Sequence, residues 1–162
     1  MDDFTNSVTN KGLTAKLWRG ERMCLIGMDV DQPEPDFVGF SIEVQSPGSS
    51  QFQPLRNRLN FSYDKPATDA VDGFRNYPST VAPFQKFRWV HFPYTPQGGK
   101  YTYRVTKQHM PTDGKLQAGT SVTLDIPLDP QTYPGFLDPA RTWRSHSGIE
   151  KERGTCTRLC WD

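Results

Sequence analysis

Long hydrophobic runs are missing from this chain. No stretch of about 18 apolar residues occurs, so no helix spanning a membrane is expected. An excess of charge of one sign is missing too. Nineteen Lys and Arg stand against eighteen Asp and Glu, a net charge of +1, which gives no electrostatic ground for nucleic acid or an anionic membrane as partner. Cysteine is scarce: Cys24, Cys156 and Cys160 are an odd number and make no disulfide framework, so a reduced, cytoplasmic chain is the expectation. The opening Met1-Asp2-Asp3-Phe4 is acidic and polar, the reverse of a secretory leader. Hydrophobic residues are only 35% of the total, low for a globular protein.

What is present offsets that last shortage. Ten Phe, six Tyr and four Trp make 12% of the chain aromatic, and each such ring removes far more surface from water than a Val or an Ala. Fourteen Pro and thirteen Gly are dispersed along the chain, as a fold with many turns requires. The 162 residues fit one domain with a sizeable core.

Apolar residues recur with a period of two in short runs broken by Gly, Pro and Asp. Leu13, Ala15 and Leu17 alternate with polar neighbours up to Trp18. After a turn at Gly20-Glu21, Met23 to Met28 is nearly continuously apolar. The loop Asp29 to Asp36 follows. Between Phe37 and Gln45, Val38, Phe40, Ile42 and Val44 alternate with Gly39, Ser41, Glu43 and Gln45. Leu59, Phe61 and Tyr63 are again two apart. Asp64 to Phe84 is irregular. Phe87 to Phe92 reads as a strand with Phe87 and Trp89 on one face and Val90 and Phe92 on the other. Tyr101, Tyr103 and Val105 follow the Pro96-Gln97-Gly98-Gly99 turn, and Val122, Leu124, Ile126 and Leu128 make the last strand. These periods predict about seven strands, hence an all-β fold: a two-sheet antiparallel sandwich over 13–129. Residues 1–12 read as an N-terminal extension. In the tail, 130–162, the alternation stops, and Asp138-Pro139 predicts one short helix ending near Gly148.

Two resemblances add to this reading. The segment from Pro96 to Val105 resembles the penultimate strand of fibronectin-type-III and immunoglobulin-like sandwiches, where a Pro-Gly turn leads into Tyr-x-(apolar)-x-Val. It implies that the Tyr101 hydroxyl bonds backbone at the sheet corner, with Tyr103 and Val105 buried and Tyr103 relying mainly on its ring. The ordered set Lys16-Leu17-Trp18-Arg19-Gly20, Phe37 to Val44, Ala82 to His91 and Tyr101 to Thr106 is similar to the N-terminal β-domain of bacterial phospholipase-D-like proteins. In that family the β-domain precedes two halves that each carry His-x-Lys-(four residues)-Asp. Here His91 precedes Phe92-Pro93, His109 precedes Met110-Pro111 and His146 precedes Ser147-Gly148. The nucleophilic His and its phosphate-holding Lys are both missing, so the family's phosphodiester chemistry does not carry over. The tail after Gly135 departs from the family as well, as a truncated or frame-altered relative would.

No other constellation supports catalysis. Asp29, Asp31 and Asp36 surround Pro33 and Pro35 and lack the Gly turn of a calcium loop. Cys156 and Cys160 are two thiols without the further ligands that zinc requires. His91, between aromatic neighbours, reads as a hydrogen-bonded structural residue. No nucleophile elbow and no phosphate-cradling loop occur. The expectation is therefore a non-enzymatic accessory or interaction module, without cofactor or metal, whose partner is a catalytic domain or protein. Its exposed-looking aromatics are Phe52, Phe74, Tyr77, Phe84 and Tyr94, and Phe74, Tyr77, Phe84 and Tyr94 form the candidate interaction surface. The alternative reading is a carbohydrate- or small-ligand-binding module using such rings as platforms.

Overall fold

The structure, a computed structural model, describes residues 4–61 and 76–129. Ten strands and no helix occur among these residues: β1 Thr5–Asn10, β2 Leu13–Gly20, β3 Met23–Val30, β4 Phe37–Gln45, β5 Gln53–Pro54, β6 Arg56–Asn57, β7 Tyr77–Pro78, β8 Arg88–His91, β9 Gly99–His109 and β10 Gln117–Leu128. One four-stranded sheet has the order β1-β2-β3-β8, a second the order β10-β9-β4-β5, and β6 pairs with β7. Every pairing is antiparallel. The chain divides into two units, Met1–Gln131 and Thr132–Asp162, and the expected tail helix lies outside the described residues.

The period-two pattern decides which face of each strand is buried. Leu13, Ala15 and Leu17 of β2 and Cys24, Ile26, Met28 and Val30 of β3 point inward from the first sheet. Phe40, Ile42 and Val44 of β4, Tyr101, Tyr103 and Val105 of β9, and Val122, Leu124, Ile126 and Leu128 of β10 meet them from the second. All belong to one cluster, so the two sheets share a single core, as in a sandwich. Each fully buried aliphatic or aromatic side chain here contributes about 1.5–3 kcal/mol through its removal from water.

The segment 1–12, expected as an extension, supplies β1. Lys11 and Gly12, with φ of 44° and 74°, form the two-residue turn that folds it onto β2. Positive φ at both central positions matches the twist of the flanking strands. β1 also reaches the other sheet. Asn6 Nδ2 donates to the Asp125 carbonyl at 2.7 Å and Asn10 Nδ2 to the Ser121 carbonyl at 3.1 Å. Two side-chain amides thus occupy carbonyls along the edge strand β10, a position otherwise open to strand addition.

The opposite side is closed by backbone. Beyond β5, the free edge of β4 is met by Ser79 and Phe84. The Ser79 hydroxyl, fully buried, accepts from Ile42 N–H at 3.1 Å and donates to the Ile42 carbonyl at 2.8 Å. Phe40 and Phe84 exchange both backbone hydrogen bonds. Gly39 is required beside this bridge: a Cβ there would lie 2.4 Å from the Phe84 carbonyl oxygen, and φ is +136°. Three residues further on, Met28 N–H donates to the Phe87 carbonyl at 2.8 Å. The chain therefore passes from the edge of one sheet to the edge of the other within Phe84 to Phe87.

Two sequence expectations change. Leu59 and Phe61 belong to no strand and are exposed, while Tyr63 lies outside the described residues. Their spacing mimics alternation, but no neighbouring strand covers that face. Leu55, buried between the short β5 and β6, anchors this part of the chain instead. The count rises above seven because β1, β5, β6 and β7 carry no apolar alternation to announce them.

Candidate functional site

The described residues of the expected aromatic surface differ widely in exposure. Phe84 is a core residue, 2% exposed, tilted over Trp89 with ring centroids 4.1 Å apart. The reason is the Phe40 bridge, which pulls this backbone against β4 and leaves the ring no exit. Tyr77 is half-buried in β7. Tyr94 alone stands fully in solvent, on the loop between β8 and β9, and Phe74 lies outside the described residues. Phe52 is occupied by the Arg104 guanidinium, 4.3 Å above its ring, which also donates to Glu43 at 2.7 Å. That carboxylate raises the affinity of the Arg104 guanidinium for its proton.

The acidic loop 29–36 is likewise consumed by pairing. Asp29 accepts from Val30 N–H at 2.9 Å. Glu34 accepts from the nearly buried Lys107 ammonium at 2.6 Å, which lowers the Glu34 carboxyl below its usual value. Asp36 lies 3.0 Å from His109 Nδ1. Cys156 and Cys160 lie outside the described residues.

Among the described residues, three regions stand out as open surface. The first is the outer face of the first sheet. In the register of β2, β3 and β8, Trp18 stands opposite Leu25, and Leu25 opposite Val90. These side chains point away from the core and are partly exposed. Phe92, next in parity after Val90, is 67% exposed. The Trp18 ring lies across Gly27, where a Cβ would meet it at 2.7 Å, and Lys16 Nζ sits 4.9 Å from its centroid. An apolar row thus crosses a face that antiparallel sheets commonly leave polar.

The second region is a side cleft of about 570 Å³ between the β6 segment and the chain from Ala82 to Trp89. Phe84 and Trp89 line it together with Arg56, Arg58 and Lys86, and the exposed Leu59 and Phe61 stand at its edge. Arg56 and Arg58 take part in interactions of their own. Asn57 Nδ2 fixes one wall by donating to the Ala82 and Pro83 carbonyls, both at 3.1 Å.

The third is a hollow of about 430 Å³ at one end of the sheets, lined in part by His91, Tyr94 and Tyr101. Tyr101 is buried, and its hydroxyl accepts from Gln97 N–H at 3.0 Å, four residues upstream. Tyr103 and Val105 are buried as well. The Tyr103 hydroxyl does more than the sequence implied. It lies 2.8 Å from His91 Nδ1 across the core. Burial pulls the His91 imidazole down to about 4, pushes the Cys24 thiol up to about 12 and pushes the Tyr103 hydroxyl far up. At neutral pH all three are therefore uncharged, and Cys24 is an inert core thiol rather than a nucleophile. Sequence reasoning placed His91 as hydrogen-bonded but missed its partner, which sits on the opposite sheet.

The chain matches no known family model and no curated protein.

Proposed function

We propose that this chain is a non-catalytic accessory module of the fibronectin-type-III/immunoglobulin kind, similar to the N-terminal β-domain of bacterial phospholipase-D-like proteins. It packs the outer apolar face of its first sheet against a catalytic partner. The observation that carries the reading is the row Trp18–Leu25–Val90 with exposed Phe92 beside it. Apolar side chains aligned across three strands on a solvent face are a docking feature rather than a core feature.

The sandwich kind is supported by connectivity. β2, β3 and β8 form one sheet while β4, β5, β9 and β10 form the other, the alternation of sheets found in such domains, with β1 added outside β2. The Tyr101 hydroxyl held by backbone four residues upstream supports the corner-tyrosine assignment. The phospholipase-D-like resemblance rests on the ordered sequence segments, and the missing His-x-Lys pair is the reason to assign positioning rather than chemistry to this chain.

The test is association with phospholipase-D-like catalytic halves from the same genome, measured by sedimentation and calorimetry. A stoichiometric complex is expected, weakened at least tenfold by Leu25→Lys or Val90→Lys while Tm changes little. Failure of every such half to bind, or equal binding by both variants, would refute the reading. In the same preparations the isolated chain should leave phosphatidylcholine and bis-p-nitrophenyl phosphate intact.

A further inference from the structure

The end hollow has a chemistry distinct from the apolar face. Its walls are the turn after β4, with Ser46 and Ser49, and the β8–β9 loop, with Thr95 and Gln97. No residue that lines it among those described carries a charge at neutral pH. Gln97 offers its side-chain amide as donor and acceptor, and Ser46 and Thr95 offer hydroxyls, while the Ser49 hydroxyl is already engaged by the Gln51 backbone. At the rim, Tyr94 is 104% exposed. A tyrosine ring held wholly in water contributes nothing to the core and presents a flat apolar plate.

His91 completes the set because its Nδ1 is held from behind by the Tyr103 hydroxyl at 2.8 Å. A neutral imidazole carries one N–H and one lone pair. Its other nitrogen, Nε2, has no protein partner among the described residues and is the polar atom His91 can offer to the hollow.

This set selects a ligand by exclusion. A phosphate or carboxylate would find no cation among the lining side chains. A purely apolar molecule would strip water from hydroxyls and an amide without replacing it. A neutral polyhydroxylated ring satisfies both demands: its hydroxyls exchange hydrogen bonds with His91, Thr95 and Gln97, and its C–H face covers the Tyr94 ring. We propose that the end hollow binds a neutral saccharide, with Tyr94 as the stacking plate and His91 Nε2 hydrogen-bonded to a sugar hydroxyl. This goes beyond the docking role and uses different residues, so either can fail alone.

The experiment uses the full chain, ¹⁵N-labelled and titrated separately with glucose, N-acetylglucosamine, cellobiose and maltose, with glucose 6-phosphate as the anionic control. The His91 imidazole nitrogens and the amides of Thr95 and Gln97 are followed. At least one neutral sugar should give saturable shifts at these positions, with Kd on the order of millimolar for so few contacts. Tyr94→Ala should weaken that binding at least tenfold at unchanged Tm, since the ring supports no packing. Three results would overturn the proposal: no saturable shift with any of the four sugars, a titration indifferent to Tyr94→Ala, or binding of the phosphorylated sugar alone.

Discussion

Removing one hydroxyl from the core separates two neighbouring tyrosines that the sequence ranks in the opposite order. Tyr101 and Tyr103 are both fully buried on the inward face of β9, and the fibronectin-like resemblance makes Tyr101→Phe the costlier change. The structure reverses this. Among the described residues the Tyr101 hydroxyl serves Gln97 N–H, in an exposed loop, where water can take over the lost acceptor. Tyr101→Phe should cost about 0.5–1.5 kcal/mol, the net value of an ordinary hydrogen bond. The Tyr103 hydroxyl is hydrogen-bonded to His91 Nδ1 at 2.8 Å. Tyr103→Phe leaves that ring nitrogen without its partner inside the core, and an unsatisfied buried polar group costs about 1–3 kcal/mol. The assay is chemical denaturation followed by tryptophan fluorescence, with thermal melting as a check at roughly 4 °C per kcal/mol. Tyr103→Phe should unfold at clearly lower denaturant than Tyr101→Phe, with equal slopes. A neutral Tyr103→Phe beside a severe Tyr101→Phe would refute the reasoning and return the critical hydroxyl to the sheet corner.

Ser79→Ala should lower stability by about 1–3 kcal/mol, because Ile42 N–H, buried beneath the edge of β4, loses its acceptor; an unchanged Tm would show that this edge is held by Phe84 alone. For pH, His91 titrates near 4 when folded against an ordinary 6.5, so between those values the unfolded chain binds a proton that the folded chain refuses. Stability should be complete above about pH 6.5 and fall by up to about 3 kcal/mol as pH drops towards 4. His91→Gln should flatten that limb of the Tm–pH curve, and a variant with the same slope would remove His91 as its cause.

Four of the five long strands were legible because their side chains alternate and the alternation is buried. Leu13 to Leu17, Phe40 to Val44, Tyr101 to Val105 and Val122 to Leu128 each carry three or four inward apolar residues at a spacing of two, and a slip of one residue would bury their polar neighbours. What was not legible works through other means. In β1 only Val8 is aliphatic, and the strand is held by backbone pairing and by Asn6 and Asn10, whose partners lie more than a hundred residues away. Ser79 and Phe84 sit in an irregular stretch, where backbone bridges rather than side-chain period set their burial. Leu59 and Phe61 have the period without the covering strand. A pattern of two is evidence for a strand only where something lies over one face.

The same argument explains why the outer apolar row was half-visible. Met23 to Met28 reads as a nearly continuous apolar run, not as an alternation. In an antiparallel sheet with one solvated face, such a run is anomalous, because its outward residues should be polar. Cys24, Ile26 and Met28 account for the inward half. Leu25 is the outward remainder, and the register sets it between Trp18 and Val90. Three strands with separate patterns thus contribute to one apolar row that none declares alone. Charging that row at Leu25 or Val90 leaves the core residues of β3 untouched, so loss of partner binding without loss of stability is the outcome that separates docking from folding.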